Sequence, residues 1–470
     1  MRLAGTDEGP DPAAEVAKIA AWLENEMGCT DVTVRRMRRW RPILYAEVTR
    51  NGRREKLFLK GERSWPTHPY PLQYERDVQR VLGENGIRVP AILGWIDDPA
   101  TIVMEWVEGG REAGLMQEAI EGSAALSADR WQASLTYMDR LAELHAIPVE
   151  RFVRVGVEMP QDNAQLMLAN FERFHAMSDR LGLTDPFIRL VSGWLRRNIP
   201  RNRAGAAFLT GDCGQYLSSG PEITCLMDFE IGHIGDPMRD LACYRGRHPI
   251  ENLGSLPDLF ERYSAATGQP IDWEAMAFHT VSFLAEAYYG PYFGLHDTGP
   301  GGDWGESYVQ IAVIGRRCLE ALAEVADITL DTIELPRPEA TPVEDLGLER
   351  LAIDIGRMPE NEHLQDWQRG ILVSIPRLLK QRGHYRRWLD GEYAADVARL
   401  SGKAIRDAGE ADAELGNFIE NAGPDRDEAI VRLLHRKLLR DCLVIAGDDP
   451  ATARIALAPM EPVLQRPVEA

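Results

Sequence analysis

Between Leu209 and Ala242 the chain carries two apolar runs, each ending in an aspartate, and no other feature narrows its possible folds as far. The stretch reads Leu209-Thr210-Gly211-Asp212-Cys213-Gly214-Gln215-Tyr216, then Cys225-Leu226-Met227-Asp228-Phe229-Glu230, then Gly235-Asp236-Pro237-Met238-Arg239-Asp240-Leu241-Ala242. The runs read as a β-hairpin with Asp212 near one end and Asp228 at the other. Phosphoryl transfer uses such a pair. One aspartate orients an attacking hydroxyl and accepts its proton, and the second holds the Mg²⁺ that bridges the phosphates.

What flanks the hairpin is organised around it. Val16, Ile19, Ala20, Leu23 and Met27 recur at helical spacing after Asp11-Pro12, which reads as an N-cap with Pro at the first helical position. Val32 to Val34, Ile43 to Arg50 and Lys56 to Lys60 read as strands, the last two joined by the tight-turn pair Asn51-Gly52. Pro71 to Gly83 reads as a helix, and strands over 91–96 and 101–107 follow. Helices are expected around 131–148, over 165–200, and after the hairpin to about Val325. The run Pro336 to Pro342 reads as a linker. Thr341-Pro342-Val343-Glu344 reads as a capping box that opens amphipathic helices such as Leu346 to Ile355, Trp367 to Leu379 and Ala429 to Ile445. Whether these form a separate appendage or extend the preceding helical region is open in the sequence.

The order β-β-β-α-β-β followed by a helical region and this hairpin resembles the aminoglycoside phosphotransferase and choline-kinase-like family. The likeness covers about residues 30–325, and its motifs are most specific over 209–242. It implies an α+β, protein-kinase-like bilobal fold with a small antiparallel β-sheet lobe, a mostly helical large lobe and an additional C-terminal helical segment. The corresponding boundaries are 1–108, 109–335 and 336–470. It further implies ATP (or GTP) and Mg²⁺ as cofactors and a small-molecule hydroxyl as acceptor. Lys60, at a strand end, takes the place of the lysine that contacts the α/β-phosphates. Glu75 is its expected partner on the next helix. It shares a face with Val78 and Leu82, whereas the competing Asp77 does not. Glu105 and Val107 belong to the linker whose backbone reads the adenine edge. Asp212 matches the catalytic base and Asp228 the main metal ligand. Asp236 and Asp240 match a signature that pins the catalytic loop.

Three departures stand against the family pattern. Thr210 replaces the histidine two residues before the base. The position five residues after the base is Leu217, which cannot coordinate Mg²⁺. Counting back from Asp228 lands on Gln215 instead, an oxygen donor taken as the second ligand. The phosphate-covering loop has no glycine and reads Arg35-Arg36-Met37-Arg38-Arg39-Trp40-Arg41-Pro42. Those arginines serve either phosphates or acidic neighbours in the fold. The aromatic run Tyr288-Tyr289-Gly290-Pro291-Tyr292-Phe293 reads as core packing or a substrate wall, and Glu230 reads as structural before it reads as an aid to metal or substrate binding. Two other readings fit these erosions: a pseudokinase acting as a binding or regulatory module, and a kinase coupling hydroxyl phosphorylation to elimination on a hydroxyacyl substrate.

Charge and cysteine usage bound the rest. A net charge of −20 argues against nucleic acid or an anionic membrane as the main partner. The six cysteines show no C-x-x-C spacing, so reduced, buried thiols are expected. An acidic N-terminal region and the lack of an apolar run of about 18 residues make the cytoplasm the expected location.

Overall fold

The computed structural model describes residues 12–37, 41–63, 68–110, 126–201, 203, 205–297, 303–358, 363–447 and 450–464. The expected cap at Asp11 and Arg38, Arg39 and Trp40 of the arginine run lie outside the described residues.

The small lobe is a five-stranded antiparallel sheet. Its strands are β1 (Thr30–Arg36), β2 (Ile43–Arg50), β3 (Arg53–Gly61), β4 (Ile92–Asp97) and β5 (Ala100–Glu105), in the order β1-β2-β3-β5-β4. Asn51 and Gly52 both have positive φ, 53° and 74°, the backbone a two-residue hairpin turn requires. Alternation along β2 and β3 then sorts the faces. Leu44, Ala46, Val48, Leu57 and Leu59 pack against Ile19 and Leu23 of helix α1 (Pro12–Asn25). The opposite face turns Phe58 and Met104 toward Leu72 of α2 (Leu72–Glu84). Period-two alternation puts Lys60 on that second face, and Ile43 is its cross-strand partner.

The chain leaves β5 through residues 106–110, and Gly110 forms an isolated bridge with Ser218. The helical lobe follows. Its elements are α3 (Ala128–His145), α4 (Glu150–Val153), α5 (Asn163–Leu181), α6 (Pro186–Arg197), α7 (Met238–Glu251), α8 (Leu256–Thr267), α9 (Trp273–His296) and α10 (Trp304–Ala326). Set among them are two short antiparallel pairs. One joins β6 (Ala207–Leu209) to β9 (His233–Gly235), and the other joins β7 (Tyr216–Ser219) to β8 (Glu222–Leu226). Helix α9 contains the aromatic run, and Tyr288, Tyr289, Tyr292 and Phe293 are all buried.

The last helices are α11 (Pro342–Gly356), α12 (His363–Ser401), α13 (Ala408–Asn421), α14 (Asp427–Ala446) and α15 (Pro450–Leu457). Tyr393, Val397, Leu415, Leu434, Leu438 and Met460 belong to the same buried cluster as the helical lobe. The capping box at Thr341 does not form. Thr341 heads α11 without capping it, because its hydroxyl donates to the Asp345 carboxylate at 2.8 Å. All six cysteines are free and buried. Among the described residues no helix is long and apolar enough to cross a membrane.

Candidate active site

The loop that carries Asp212 starts where β6 ends. Gly211 has φ 79°, and a Cβ there would run into the Ile231 carbonyl, so only glycine passes. Asp240, fully buried at the start of α7, accepts from the Thr210 N–H at 2.8 Å, the Thr210 hydroxyl at 2.9 Å and the Gly211 N–H at 3.2 Å. His145 of α3 approaches the same carboxylate at 3.2 Å and Tyr263 at 2.7 Å. Threonine thus takes a loop-anchoring role at position 210, while an imidazole reaches Asp240 from another helix. Burial alone would raise the Asp240 carboxyl, but the His145 contact and the Thr210 N–H outweigh it and hold it below the usual carboxylate range. Asp236 binds Arg203 and the Met238 N–H.

A second buried relay reaches the same loop. The Tyr70 hydroxyl donates to Asn170 at 2.7 Å, and Asn170 donates to Glu286 at 2.6 Å. Arg239 donates to Glu286 at 2.8 Å and to the Gly211 carbonyl at 3.2 Å.

Asp212 projects from this loop, and both its oxygens are engaged. Oδ2 accepts from Gln215 Nε2 at 2.6 Å, and Oδ1 pairs with Arg247. Arg247 also binds Glu251 at 2.6 Å. Burial works against the Arg247 charge, but Asp212 and Glu251 outweigh it and raise the group well above the ordinary arginine value. Gln215 is buried, and its backbone carbonyl accepts from the Met227 N–H at 3.1 Å, which sets it beside the residue preceding Asp228.

Asp228 has φ 68°, in the left-handed region that Asp tolerates better than most residues. Its Oδ1 accepts from Lys60 Nζ at 2.7 Å, and the same ammonium donates to Glu75 at 2.6 Å. Lys60 and Glu75 are both buried, whereas a third of the Asp228 side chain is exposed. Asp77 pairs with Arg76 and Arg80 instead. Lys60, Glu75 and Asp228 thus form one bonded group and Gln215 and Asp212 another, and the backbone bond from Met227 to Gln215 sets the two side by side. Glu105 stands apart from both. Its carboxylate binds Arg88 at 2.5 Å and the Ala91 N–H at 2.8 Å, and its own N–H donates to the Ala91 carbonyl at 2.9 Å. Val107 lies in the extended segment between the lobes, beside Trp106, which has the edge of Tyr45 against it.

Four contributors were not assigned to the site from sequence. Glu230, expected to be structural, pairs with Arg41 and Arg63 and lies 3.4 Å from Lys60. Burial and the neighbouring Arg41 pull Arg63 down to about 9. Burial, then Arg63, pulls His68 down to about 3, so His68 is neutral near pH 7. Arg247 is the remaining contributor. It lies on α7 with Asp240 and Cys243 at i, i+3, i+7 spacing, and all three meet the loop that carries Asp212. That spacing was the available signal.

No protein-family model matches this chain, and no curated protein matches it in sequence. Among solved structures it is similar to Plasmodium vivax ethanolamine kinase, at 10% identity over 65% of this chain and 89% of that one, TM-score 0.47. It is similar to aminoglycoside phosphotransferase APH(4)-Ia at 13% identity over 66% and 98%, TM-score 0.46. It is similar to macrolide 2'-phosphotransferase MphH from Brachybacterium faecium at 16% identity over 59% and 92%, TM-score 0.42.

Proposed function

We propose that this chain is a phosphotransferase that moves the γ-phosphoryl group of ATP, or GTP, to a hydroxyl of a small molecule with Mg²⁺ as cofactor. One observation carries the reading. Lys60 bonds both Glu75 and Asp228, beside a hairpin in which Gln215 reaches Asp212. Lys60 binds nucleotide phosphates, and Glu75 fixes its reach. Asp212 orients the acceptor hydroxyl and takes its proton as that oxygen bonds phosphorus and the bond to the β-phosphate oxygen breaks. Each Asp212 oxygen now accepts one strong donor, and a carboxylate offers about four lone-pair sites, so a hydroxyl still has room to donate. Arg41 and Arg63 replace a glycine-rich wrap with charge, exchanging Glu230 for phosphate oxygens. Backbone groups of 105–107 meet the adenine edge, though the Glu105 N–H is already committed to Ala91.

Asp228 and Gln215 are the oxygen donors that would hold the metal. Among the described residues no group of three or more His, Cys, Asp or Glu is arranged as a metal site. Mg²⁺ needs few dedicated protein ligands, because it keeps several waters and binds substrate phosphates. When bound, the ion offsets charge on the transferring group.

A thermal-shift titration tests this reading. ATP should stabilise the chain saturably, and the shift should require Mg²⁺. No shift at any nucleotide concentration defeats the proposal and leaves a silent module, a reading favoured by the glycine-free loop. Arg247 is assigned a positioning role, holding the Asp212 carboxylate at one rotamer. Arg247→Met should lower kcat by up to about 100-fold with the KM for nucleotide unchanged, and Arg247→Lys should restore part of it. A change in nucleotide KM with kcat intact would remove that role.

A further inference from the structure

Helix α11 is anomalous. It contains Val343, Leu346, Leu348, Leu351, Ile353 and Ile355, yet none of its residues is buried. Leu348, Ala352 and Ile355 form a half-covered inner seam, and α12 is the principal neighbour of the helix. Away from that seam, Val343 is 78%, Leu346 70% and Ile353 42% exposed, while on α12 Leu372 is 49% and Leu379 41% exposed. A lone helix of this length is marginal in water. Apolar side chains clustered on two adjacent helices also exceed the scattered ones a monomer normally shows. Between the helices runs a groove of about 430 Å³ lined by Leu348, Ala352, Ile353, Val373, Pro376 and Arg377.

The two helices carry opposite charge. Helix α11 has Glu344, Asp345, Glu349 and Asp354 against Arg350 alone. From 369 to 387, α12 has Arg369, Arg377, Lys380, Arg382, Arg386 and Arg387 and neither Asp nor Glu. Within one molecule Arg382, Arg386 and Arg387 pair outside α11, with Asp441, Asp390 and Glu339, and the match between the two helices is only partly used. Glu349 meets Lys380 at 3.2 Å and Asp345 meets His384 at 2.8 Å. Arg377, in the groove, forms no ion pair among the described residues.

We propose that this face docks a second copy of the chain, α11 of each copy lying in the α11–α12 groove of the other about a two-fold axis. A two-fold contact requires one patch complementary to itself, and this patch holds both halves. Leu346 and Ile353, spaced i, i+7, form a ridge that fits a groove between helices. The acids of α11 meet the bases of the partner's α12. An unrelated protein would call for only one of these halves. Each copy carries a net charge of −20, so long-range repulsion opposes pairing. At about 0.15 M salt that repulsion is screened beyond roughly 8 Å, and the local match decides.

Sedimentation of the full chain at that ionic strength tests the proposal. The expected species at micromolar concentration has twice the 52.7 kDa chain mass, and Leu346→Glu should weaken association at least tenfold with an unchanged circular dichroism spectrum. Arg377→Glu and Glu344→Lys should each impair self-association, and mixing these two variants should restore a dimer, because α11 then meets α12 of opposite charge at both contacts. A chain that stays monomeric to 100 µM overturns the proposal. So does a dimer indifferent to Leu346→Glu, or a mixture that does not re-pair. None of these readouts depends on nucleotide binding.

Discussion

Asp212→Asn is expected to lower ATP-dependent turnover by about 10²- to 10⁴-fold, the range by which a positioned general base contributes, while the Mg²⁺-dependent thermal shift with ATP stays at its full size. The substitution keeps the volume and one acceptor oxygen. It removes the charge that orients a hydroxyl and accepts its proton. It also breaks a balanced arrangement, because Arg247 would lose one of its two carboxylates and Gln215 Nε2 would face an amide. Nucleotide binding should survive, since Lys60, Glu75 and Asp228 are untouched. The measurement is kcat with whichever alcohol supports turnover in the unaltered chain, set beside the shift. A fall of less than tenfold takes the base role away from Asp212. A vanished shift would mean that the loop as a whole had moved.

The largest effect on stability is expected at Asp240. Asp240→Ala leaves the Thr210 and Gly211 N–H groups, the Thr210 hydroxyl and His145 without their acceptor in a fully buried place. Removing one member of a buried charged network costs about 3–5 kcal/mol. The check is the shift in denaturant midpoint at unchanged slope, and a loss under about 1 kcal/mol would show that the loop is held by other contacts. The pH dependence follows from the same carboxylate. Asp240 is held below its unfolded value despite burial, and so is Asp236, where Arg203 is the main opposing influence. Their contribution is therefore present above about pH 4, the unfolded aspartate value, and is lost as pH falls through the depressed folded values. Asp240→Asn should therefore lower stability near neutral pH and make its fall in acid shallower, because the titrating carboxyl is gone, and denaturant midpoints measured from pH 7 to pH 3 check this.

Local pattern made the small lobe readable. Alternation fixed which way Leu57, Leu59 and Lys60 turn, Asn51-Gly52 fixed the hairpin, and the shared face of Glu75, Val78 and Leu82 set the partner of Lys60 apart from Asp77. Such signals are short-range, set by backbone periodicity. Ion pairs between distant segments leave no comparable trace. Arg41, Arg63 and Glu230 are 167 and more residues apart in two of their pairings, so only the folded chain brings them together. The spacing Asp240, Cys243, Arg247 was visible, but one helical face says nothing of what it meets. The Thr341 capping box failed for a local reason: Asp345, one turn on, offered the hydroxyl an acceptor. The C-terminal helices were read correctly as helices, yet amphipathic spacing does not tell which surface their apolar faces cover, and here Tyr393, Val397 and Leu438 enter the lobe's own core.

The bridge between Gly110 and Ser218 has a mechanical consequence. Two hydrogen bonds, at 2.8 and 2.9 Å, fasten the chain to the β7–β8 hairpin just after it leaves the small lobe. Gly109 is packed so closely against Thr224 and Ser218 that a methyl group would not fit. Gly109 and Gly110 are thus fastened to the hairpin, and residues 106–108 are what joins them to the end of the sheet. The Lys60–Asp228 bond and the Leu226 N–H to Arg88 carbonyl bond tie the small lobe to the same stretch of chain at two further points, so the joint is braced on more than one side.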